Sequence, residues 1–229
     1  MNRRISKLLE YISPGVGVID VGTDHGYLPA ALAASRYPGR IFASDIRPEP
    51  LHAAERTAAR AGVSDRIEFL LCDGLALCPP DAVDTIVIAG MGGDSIVKIL
   101  DEAEFCMDSR YLLVLQPMTK PEVLRYWLAY NGFEILSEAL VQETGGLYQI
   151  LTARFGGKTT LSDAELFVGK ASLAEDPGLY RLALEHLDNR LSKALAGMQS
   201  REDDSPRLRL VREVEKQVKE LKKTYDQHQ

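Results

Sequence analysis

The sequence predicts an α/β fold in two parts: a seven-stranded, mostly parallel sheet with an antiparallel hairpin at its edge, and then a helical hairpin. Five short apolar runs up to residue 115 alternate with helical patterns, which is typical of a parallel sheet. Two more apolar runs follow one another directly within 133–155, as in a β-hairpin. From residue 157 onward, apolar residues recur at steps of three and four, which indicates packed helices. We therefore divide the chain into a first domain over 1–156 and a second over 157–229.

The composition predicts a cytoplasmic globular protein. Hydrophobic residues make up 45% of the chain, and no apolar run approaches the roughly 20 residues of a membrane helix. The first seven residues do not lead into a signal-peptide apolar region. The cysteines Cys72, Cys78 and Cys106 do not have C-x-x-C spacing, so we expect neither a disulfide framework nor a metal site. We also expect a monomer that has no membrane partner.

The charge distribution leaves a nucleic-acid partner open. The net charge of −6 counts against such a partner for the chain as a whole. However, the acidic excess lies entirely within the first 155 residues, so a local basic face can still exist.

The first element is a short amphipathic helix over 3–12, which the sequence Ser13-Pro14-Gly15 ends. Its polar side carries Arg3, Arg4 and Lys7. These residues form either a solvated face or a contact with nucleic-acid phosphates.

The stretch over 18–29 organises the chain and reads as a strand, a tight turn and a helix. Gly22 and Gly26 let the backbone approach a ligand closely. Asp24 stands where a dinucleotide-binding fingerprint needs its second glycine beside a pyrophosphate. A carboxylate repels phosphates and suits a cationic ligand, such as the amino group and sulfonium of S-adenosylmethionine.

The following strands are predicted over 40–46, 66–74, 83–89 and 111–115, with helices over 48–61, from 94 to 100, and over 121–131. Acids or glycines mark the strand ends at Asp45, Asp73-Gly74 and Gly90 to Asp94, and Gln116-Pro117 follows the fifth strand. Ligands of such sheets bind outside the carboxyl ends of the strands. These ends therefore predict one site, in which Asp45 is the candidate for binding ribose hydroxyls.

The last two predicted strands, 133–141 and 147–155, are joined by the turn 142–146 and complete the sheet. Two helical patterns then cover 180–198 and 211–225, with 199–206 between them. The helix that follows residue 206 carries a basic stripe at Arg209, Arg212, Lys216, Lys219 and Lys223. The stripe is either a solvated face of a coiled coil or a contact surface for a nucleic-acid backbone.

Five segments carry a resemblance to a known family: Asp20 to Pro29, Ala43 to Ile46, Cys72 to Gly74, Ile88 to Gly93, and Gln116 to Met118. Together they resemble the bacterial tRNA adenine-N1 methyltransferases called TrmK, which modify adenine 22 in the D arm. The resemblance covers the whole chain and implies a class I, Rossmann-like methyltransferase domain followed by a coiled-coil hairpin. Asp24 departs from the general D-x-G-x-G-x-G pattern, but that departure belongs to the family's own signature.

The resemblance implies S-adenosylmethionine as cofactor and tRNA as partner. It implies that Asp45 binds the ribose hydroxyls, Ile46 lies against the adenine ring and Asp73 accepts from the adenine amino group. The full set of implied cofactor residues is Asp20, Gly22, Asp24, Gly26, Asp45, Ile46, Asp73, Gly74, Gly90, Met91 and Gly92. The candidate substrate contacts are Arg3, Arg4, Lys7, Gln116, Arg209, Arg212, Lys216 and Lys219.

The implied chemistry makes modest demands on side chains. N1 of neutral adenine has its own lone pair, so methyl transfer does not strictly need a general base, and the product base is cationic. The candidates for a catalytic role are Asp24, His25, Tyr27 and Asp94. In the simpler interpretations, Asp24 serves the cofactor, Asp94 caps a helix, His25 is a structural hydrogen-bonder and Tyr27 only packs. We expect the target base to be unstacked into the pocket.

Other functions remain possible at this point. A methyltransferase for a small metabolite or another RNA would share the cofactor motifs without needing the basic stripe. A non-catalytic RNA-binding module on the same scaffold would not need the acids Asp20, Asp45 and Asp73. An NAD-dependent enzyme is disfavoured by the charge of Asp24.

Overall fold

The computed structural model describes residues 2–199 and 205–227 of the chain. The strands are β1 Gly17–Val21, β2 Arg40–Asp45, β3 Glu68–Leu71, β4 Thr85–Gly92, β5 Leu112–Thr119, β6 Phe133–Glu143 and β7 Gly146–Phe155. The helices are α1 Arg3–Glu10, α2 Tyr27–Ala34, α3 Pro48–Ala61, α4 Gly93–Asp101, α5 Pro121–Tyr130, α6 Asp163–Val168, α7 Pro177–Gln199 and α8 Pro206–Gln227.

The seven strands form one sheet in the order β3-β2-β1-β4-β5-β7-β6. Strands β1 to β5 pair in parallel, whereas β7 pairs antiparallel with both β5 and β6. The predicted fold class, a mostly parallel sheet with an antiparallel edge, is therefore confirmed. The strand order reverses between β1 and β4, which places the expected ligand crevice at their carboxyl ends.

The sheet is buried on both faces. Along β4, Ile86 and Ile88 belong to one apolar cluster, and Val87 between them belongs to a second cluster on the opposite face. Successive side chains of a strand point to opposite faces, so a strand that is covered on both sides must be apolar throughout. This explains the near-continuous apolar run that the sequence shows there.

Several boundaries differ from the sequence prediction. β4 continues to Gly92 instead of ending at Ala89, because it keeps pairing with β5 through an irregular register after Ala89. Helix α4 consequently has Gly92 as its N-cap, without a side-chain cap bond, so the interpretation of Asp94 as the cap was wrong. The edge strand β3 pairs with β2 alone and covers less than the predicted 66–74.

Helices α7 and α8 pack as an antiparallel hairpin. Arg181 pairs with Asp226, and Asp188 pairs with Lys222, so early residues of α7 meet late residues of α8. Their apolar cluster includes Leu184, Leu187, Val214 and Val218. Part of the predicted connection, 200–204, lies outside the described residues, and the division of domains at residue 156 stays a prediction.

A buried ion pair joins the helical part to the sheet. Arg125 of α5 is 1% exposed and donates to Glu138 of β6 at 2.6 Å. It also donates to the carbonyl of Leu166, at the end of α6, at 2.9 Å and to Gln149 of β7 at 2.7 Å. Arg125 thereby ties α6 to the sheet, and sequence reasoning did not anticipate this residue. Helix α6 in turn contacts the hairpin, where the backbone N–H of Ala164 donates to Gln217 Oε1 of α8 at 3.1 Å.

Among the helices over 2–199 and 205–227, none is both long and apolar enough to cross a membrane.

Candidate active site

A first cavity, of about 430 Å³, opens at the carboxyl ends of β1, β2 and β4, and we call it the strand-end cavity. Its lining is Val21, Gly22, Asp24, Ser44, Asp45, Ile46, Arg47, Cys72, Asp73, Gly74, Ala89, Gly90, Met91, Ser95, Lys98 and Ile99. Ends of separate strands thus meet at one site, as the sequence predicted.

The backbone of the strand-end cavity needs glycine at Gly22. Its φ of 69° is in the left-handed region, and an added Cβ would overlap the Cε of Met91. Gly74 has a φ of 51°, and an added Cβ there would lie 3.1 Å from Ile99. Both glycines let the chain turn sharply at the cavity wall without a side chain in the way.

Asp45 presents a buried carboxylate in this cavity. One oxygen accepts from the backbone N–H of Arg47 at 3.0 Å, and the other accepts from the backbone N–H of Asp24 at 3.4 Å. A carboxylate has about four acceptor positions, so lone pairs remain for two ligand hydroxyls. The arrangement suits a ribose diol.

Residues that the sequence reasoning missed complete the wall. Lys98 of α4 lines the cavity with its Nζ 3.9 Å from the Asp73 carboxylate, and Ser95 lies one turn earlier. Helix α4 starts directly at the end of β4, so its first turns border the strand ends. That position was a usable signal for both residues.

A second cavity, of about 340 Å³, lies beside the first, and we call it the α1-roofed cavity. Its lining is Asn2, Arg4, Ile5, Leu8, Asp20, Gly22, Thr23, Asp24, His25, Tyr27, Leu28, Ala89, Gly90, Gln116 and Met118. Four residues line both cavities: Gly22, Asp24, Ala89 and Gly90. We call these four the shared rim.

Asp20 is the buried acid of the α1-roofed cavity. Desolvation raises the pKa of its carboxyl to about 6, the hydrogen bond that Thr23 Oγ1 donates at 2.7 Å lowers it, and the charge of Asp45 raises it. The carboxyl of Asp20 is therefore mostly ionised at pH 7, and it becomes protonated as the pH falls through about 6.

Two exposed rings lie at the edge of the α1-roofed cavity. His25 and Tyr27 stack with centroids 5.5 Å apart, and His25 Nε2 is 3.7 Å from the Asp24 carboxylate. Tyr27 is 56% exposed, so part of its ring is accessible to a ligand in this cavity.

The comparisons with known proteins agree with this geometry. The family described as a methyltransferase domain matches residues 1–151, which is more than half of the chain. This chain belongs to that methyltransferase family. The tRNA (adenine(22)-N(1))-methyltransferase of Bacillus subtilis is 29% identical over 163 residues, which are 71% of this chain and 68% of the relative. A putative tRNA methyltransferase of Mycoplasma genitalium is 31% identical over 156 residues, 66% of this chain and 68% of that protein.

Solved structures are similar over nearly the whole methyltransferase. The crystal structure of a putative tRNA (m1A22) methyltransferase from Streptococcus pneumoniae has a TM-score of 0.84 at 27% identity. The match covers 97% of this chain and 99% of that one. A second structure of that protein, in complex with S-adenosyl-L-methionine, has a TM-score of 0.77 at 28% identity over 94% of this chain and 99% of that one. The resemblance to TrmK that the sequence motifs indicated is thus confirmed.

The structure of this methyltransferase brings most of the predicted site residues together. Gly26, Gly92 and Asp94 lie outside the linings of both cavities. Gly26 serves packing, because an added Cβ would lie 2.6 Å from the Cβ of Ala54 on α3. Asp94 pairs with Lys120 at 2.8 Å, and this hydrogen bond holds the pKa of Asp94 below its usual value.

The predicted substrate residues divide into two groups. Gln116 is buried in the α1-roofed cavity, where its Nε2 donates to the carbonyl of Pro117 at 3.1 Å. Arg4 also lines this cavity, whereas Lys7 pairs with Glu175 at 2.6 Å outside it. The basic residues of the stripe are exposed along one face of α8: Arg209, Arg212, Lys216 and Lys219. One of them, Lys219, pairs with Glu215 at 2.9 Å.

Proposed function

We propose that this chain transfers a methyl group from S-adenosylmethionine to N1 of adenine 22 in the D arm of bacterial tRNA. The observation that carries the proposal is the likeness to the Streptococcus pneumoniae putative tRNA (m1A22) methyltransferase, which covers 97% of this chain. It includes the helical hairpin as well as the sheet, so it concerns the part outside the general methyltransferase domain. The geometry of the two cavities supports the same chemistry.

The strand-end cavity fits the adenosine part of the cofactor. The Asp45 carboxylate keeps acceptor positions for the ribose hydroxyls, and Ile46, 58% exposed beside it, offers an apolar surface for the adenine ring. Asp73 and the backbone at Gly74 border the same cavity. Exposed apolar surface next to a buried carboxylate is what a ligand with both a ring and a diol requires.

The acids near the shared rim fit the charged end of the cofactor. Bound there, S-adenosylmethionine would supply an activated methyl group on a sulfonium. Asp24 lines both cavities, and Asp20 of the α1-roofed cavity is close enough to Asp45 of the strand-end cavity for the Asp45 charge to raise its pKa. Two carboxylates beside that border favour positive charge, whether it is on the ligand or on a methylated base.

The α1-roofed cavity fits the target adenine. Tyr27 and His25 provide ring surface for stacking, and Gln116 provides a buried amide. Adenine N1 carries its own lone pair, so the residues need to orient the base at the shared rim and exclude water from it. The acids Asp20 and Asp24 then stabilise the cationic product without taking a proton.

The exposed stripe on α8 suits the phosphate backbone of a folded RNA. Arg209, Arg212 and Lys216 repeat along one face of the helix, and each phosphate contact adds salt-dependent affinity. Helix α6, which Arg125 ties to the sheet, contacts α8 through the hydrogen bond that the Ala164 backbone N–H donates to Gln217. A tRNA can therefore be positioned by the hairpin while its D arm enters the active site.

The proposal is tested by methyl transfer from labelled S-adenosylmethionine to an unmodified tRNA transcript, followed by digestion and identification of the product nucleoside. We expect 1-methyladenosine, and no label in a matched transcript with guanine at position 22. Label in the guanine transcript, or a product other than 1-methyladenosine, would contradict the assignment. Cofactor binding without transfer to any tRNA would favour a small-metabolite methyltransferase instead.

A further inference from the structure

A third concave surface lies between α1 and the turn that joins β6 to β7. This cleft of about 720 Å³ is lined by Asn2, Arg3, Arg4, residues 142–145 at the end of β6 and in the turn after it, and Tyr148, and we call it the hairpin cleft. It shares Asn2 and Arg4 with the α1-roofed cavity. A ligand in one of the two is therefore separated from a ligand in the other by the Arg4 side chain.

Arg4 is held in place on several sides. Its Nε donates to Glu143 Oε2 at 3.0 Å, and its backbone N–H donates to Glu143 Oε1 at 3.1 Å. Its guanidinium carbon lies 4.3 Å from the centre of the Tyr148 ring, within the range of a cation–π contact. Its Nη1 lies 3.5 Å from the sulfur of Met118, which lines the α1-roofed cavity. The planar group thus extends from the hairpin cleft to the α1-roofed cavity.

The pairing with Glu143 makes Arg4 a poor phosphate contact. Partial desolvation by itself would raise the pKa of Glu143, yet the hydrogen bonds and the charge of Arg4 bring it below its usual value. The carboxylate is therefore ionised and offsets the charge of the guanidinium. A phosphate approaching Arg4 would meet Glu143, whereas an uncharged ring would not be repelled.

The same features favour a nucleobase. Arginine guanidinium planes stack on bases in RNA recognition, and a plane that is already fixed by an ion pair loses little conformational entropy on doing so. The cleft also contains Asn2, Gln142 and Thr144, whose polar groups can hydrogen-bond to a base edge. Arg3, whose Nη1 donates to the Gln142 carbonyl at 3.5 Å, keeps a positive charge near the cleft for the attached phosphate.

We propose that the hairpin cleft is a subsite for the nucleotide next to the target adenine, with its base stacked on the guanidinium of Arg4. The inference rests on the proposed function, because it takes the α1-roofed cavity as the site of the target base. Arg4 then acts as a wedge between two neighbouring bases of the D arm and helps to hold the target adenine out of its stack. It contacts substrate through its plane and not through its charge.

The test uses Arg4→Lys, which keeps the positive charge and removes the plane. We expect the KM for tRNA to rise about fivefold or more, as for the loss of one stacked base, while the affinity for S-adenosylmethionine stays within twofold of wild type. The matched control is Arg56→Lys, at an exposed arginine of α3 outside the cavity linings, and it should leave both values unchanged.

A second measurement reports on stacking directly. D-arm RNA carrying 2-aminopurine next to adenine 22 should gain fluorescence on binding wild type and Arg56→Lys, because the wedge separates the probe from the base that quenches it, and should gain clearly less on binding Arg4→Lys. A gain with Arg4→Lys equal to that with wild type, together with a wild-type KM, would overturn the subsite. That result would also be obtained if Arg4 contacted a phosphate through its charge.

Tyr148→Leu tests the subsite if Arg4→Lys does not fold. It removes the ring that contacts the guanidinium and leaves the Arg4–Glu143 pair in place. A KM for tRNA raised about threefold supports the subsite, because the guanidinium plane loses the ring contact that helps to fix it. A wild-type KM contradicts it. Transfer to adenine 22 by wild type is measured in the same assay, so failure of the proposed function and failure of the subsite give different results.

Discussion

The strand-end cavity and the α1-roofed cavity are built in different ways. The strand-end cavity is walled by the turns at the carboxyl ends of β1 to β4 and by the start of α4. The α1-roofed cavity joins the turn after β1 to α1 and to the end of β5, which are far apart in the chain. Its roof is anchored by side chains, since Arg4 pairs with Glu143, and Lys7 pairs with Glu175.

This difference indicates which contacts determine the affinity for the cofactor and which determine the affinity for tRNA. The cofactor side depends on backbone geometry and on one buried carboxylate, whereas the RNA side depends on side chains that α1, β5 and the hairpin bring together. Substitutions of the first kind should change cofactor affinity with little effect on tRNA, and substitutions of the second kind should do the reverse.

The largest effect is expected for Gly22→Ala. The new Cβ would overlap Met91 at the shared rim and would sit at a φ of 69°. Met91 can move its flexible end away from the new Cβ, but it then repacks inside the cavity lining, and the left-handed backbone is strained by about 1–3 kcal/mol, so we expect affinity for S-adenosylmethionine, measured by calorimetry, to fall about 50-fold. Gly62→Ala is the matched control, because Gly62 has the same φ but nothing within 4 Å of an added Cβ. Equal cofactor affinity for both variants would show that Gly22 does not shape the cavity.

The next effect concerns the basic stripe. Replacing Arg209, Arg212 and Lys216 together by glutamine should raise the KM for tRNA about tenfold. The slope of log KM against log salt concentration should fall by about two to three, because up to three phosphate contacts are lost. Cofactor affinity should not change, because these residues lie on α8. A KM titrated against salt concentration measures this effect. An unaltered salt dependence would mean that the stripe is only a solvated face.

The pH profile tests the buried acid. The carboxyl of Asp20 has a pKa of about 6, so its charge is present above that pH and is lost as the pH falls through it. One unit below its pKa a carboxyl is about one-tenth ionised, so kcat/KM should fall about tenfold between pH 7 and pH 5. Thr23→Val removes the hydrogen bond that favours the ionised form and should move the decline to higher pH. A flat profile over this range would exclude a role for the charge of Asp20.

The smallest effect is expected for Asp24→Asn. Asparagine tolerates the φ of 49° at this position, so the change removes charge without adding backbone strain. The side chain is exposed, and exposed charge pairs are weak, so affinity for S-adenosylmethionine should fall only about threefold to fivefold. Asp24→Ala should lower the affinity for S-adenosylmethionine further, because alanine at this φ adds backbone strain. No change with either variant would remove Asp24 from the cofactor site.

The contrast between the cavities also explains what the sequence could predict. Asp20, Asp45 and Gly22 were predictable because each directly follows or ends an apolar run, and parallel strands bring their carboxyl ends to one edge. The strand-end cavity is therefore largely visible in local sequence patterns. Lys98 and Ser95 were missed although the start of α4 at a strand end was a usable signal.

The α1-roofed cavity could not be predicted in the same way. The partner of Arg4 is Glu143, and that of Lys7 is Glu175, and no local pattern relates residues so distant in the chain. Asp94 looked like a capping residue until the continuation of β4 moved the helix start and Lys120 became its partner. Sequence reasoning could not assign the side chains whose roles depend on packing between distant parts of the chain.

The separation of the two cavities is tested most directly by measuring cofactor affinity and the KM for tRNA side by side in Asp45→Ala and Tyr27→Ala. We predict that Asp45→Ala weakens S-adenosylmethionine binding about 30-fold, through lost charge-assisted hydrogen bonds, and leaves the KM for tRNA at saturating cofactor unchanged. Tyr27→Ala should raise the KM for tRNA about fivefold and keep cofactor affinity within twofold of wild type. The separation of the cavities would be contradicted if Tyr27→Ala weakened cofactor binding as much as Asp45→Ala does. It would also be contradicted if Asp45→Ala bound the cofactor with wild-type affinity.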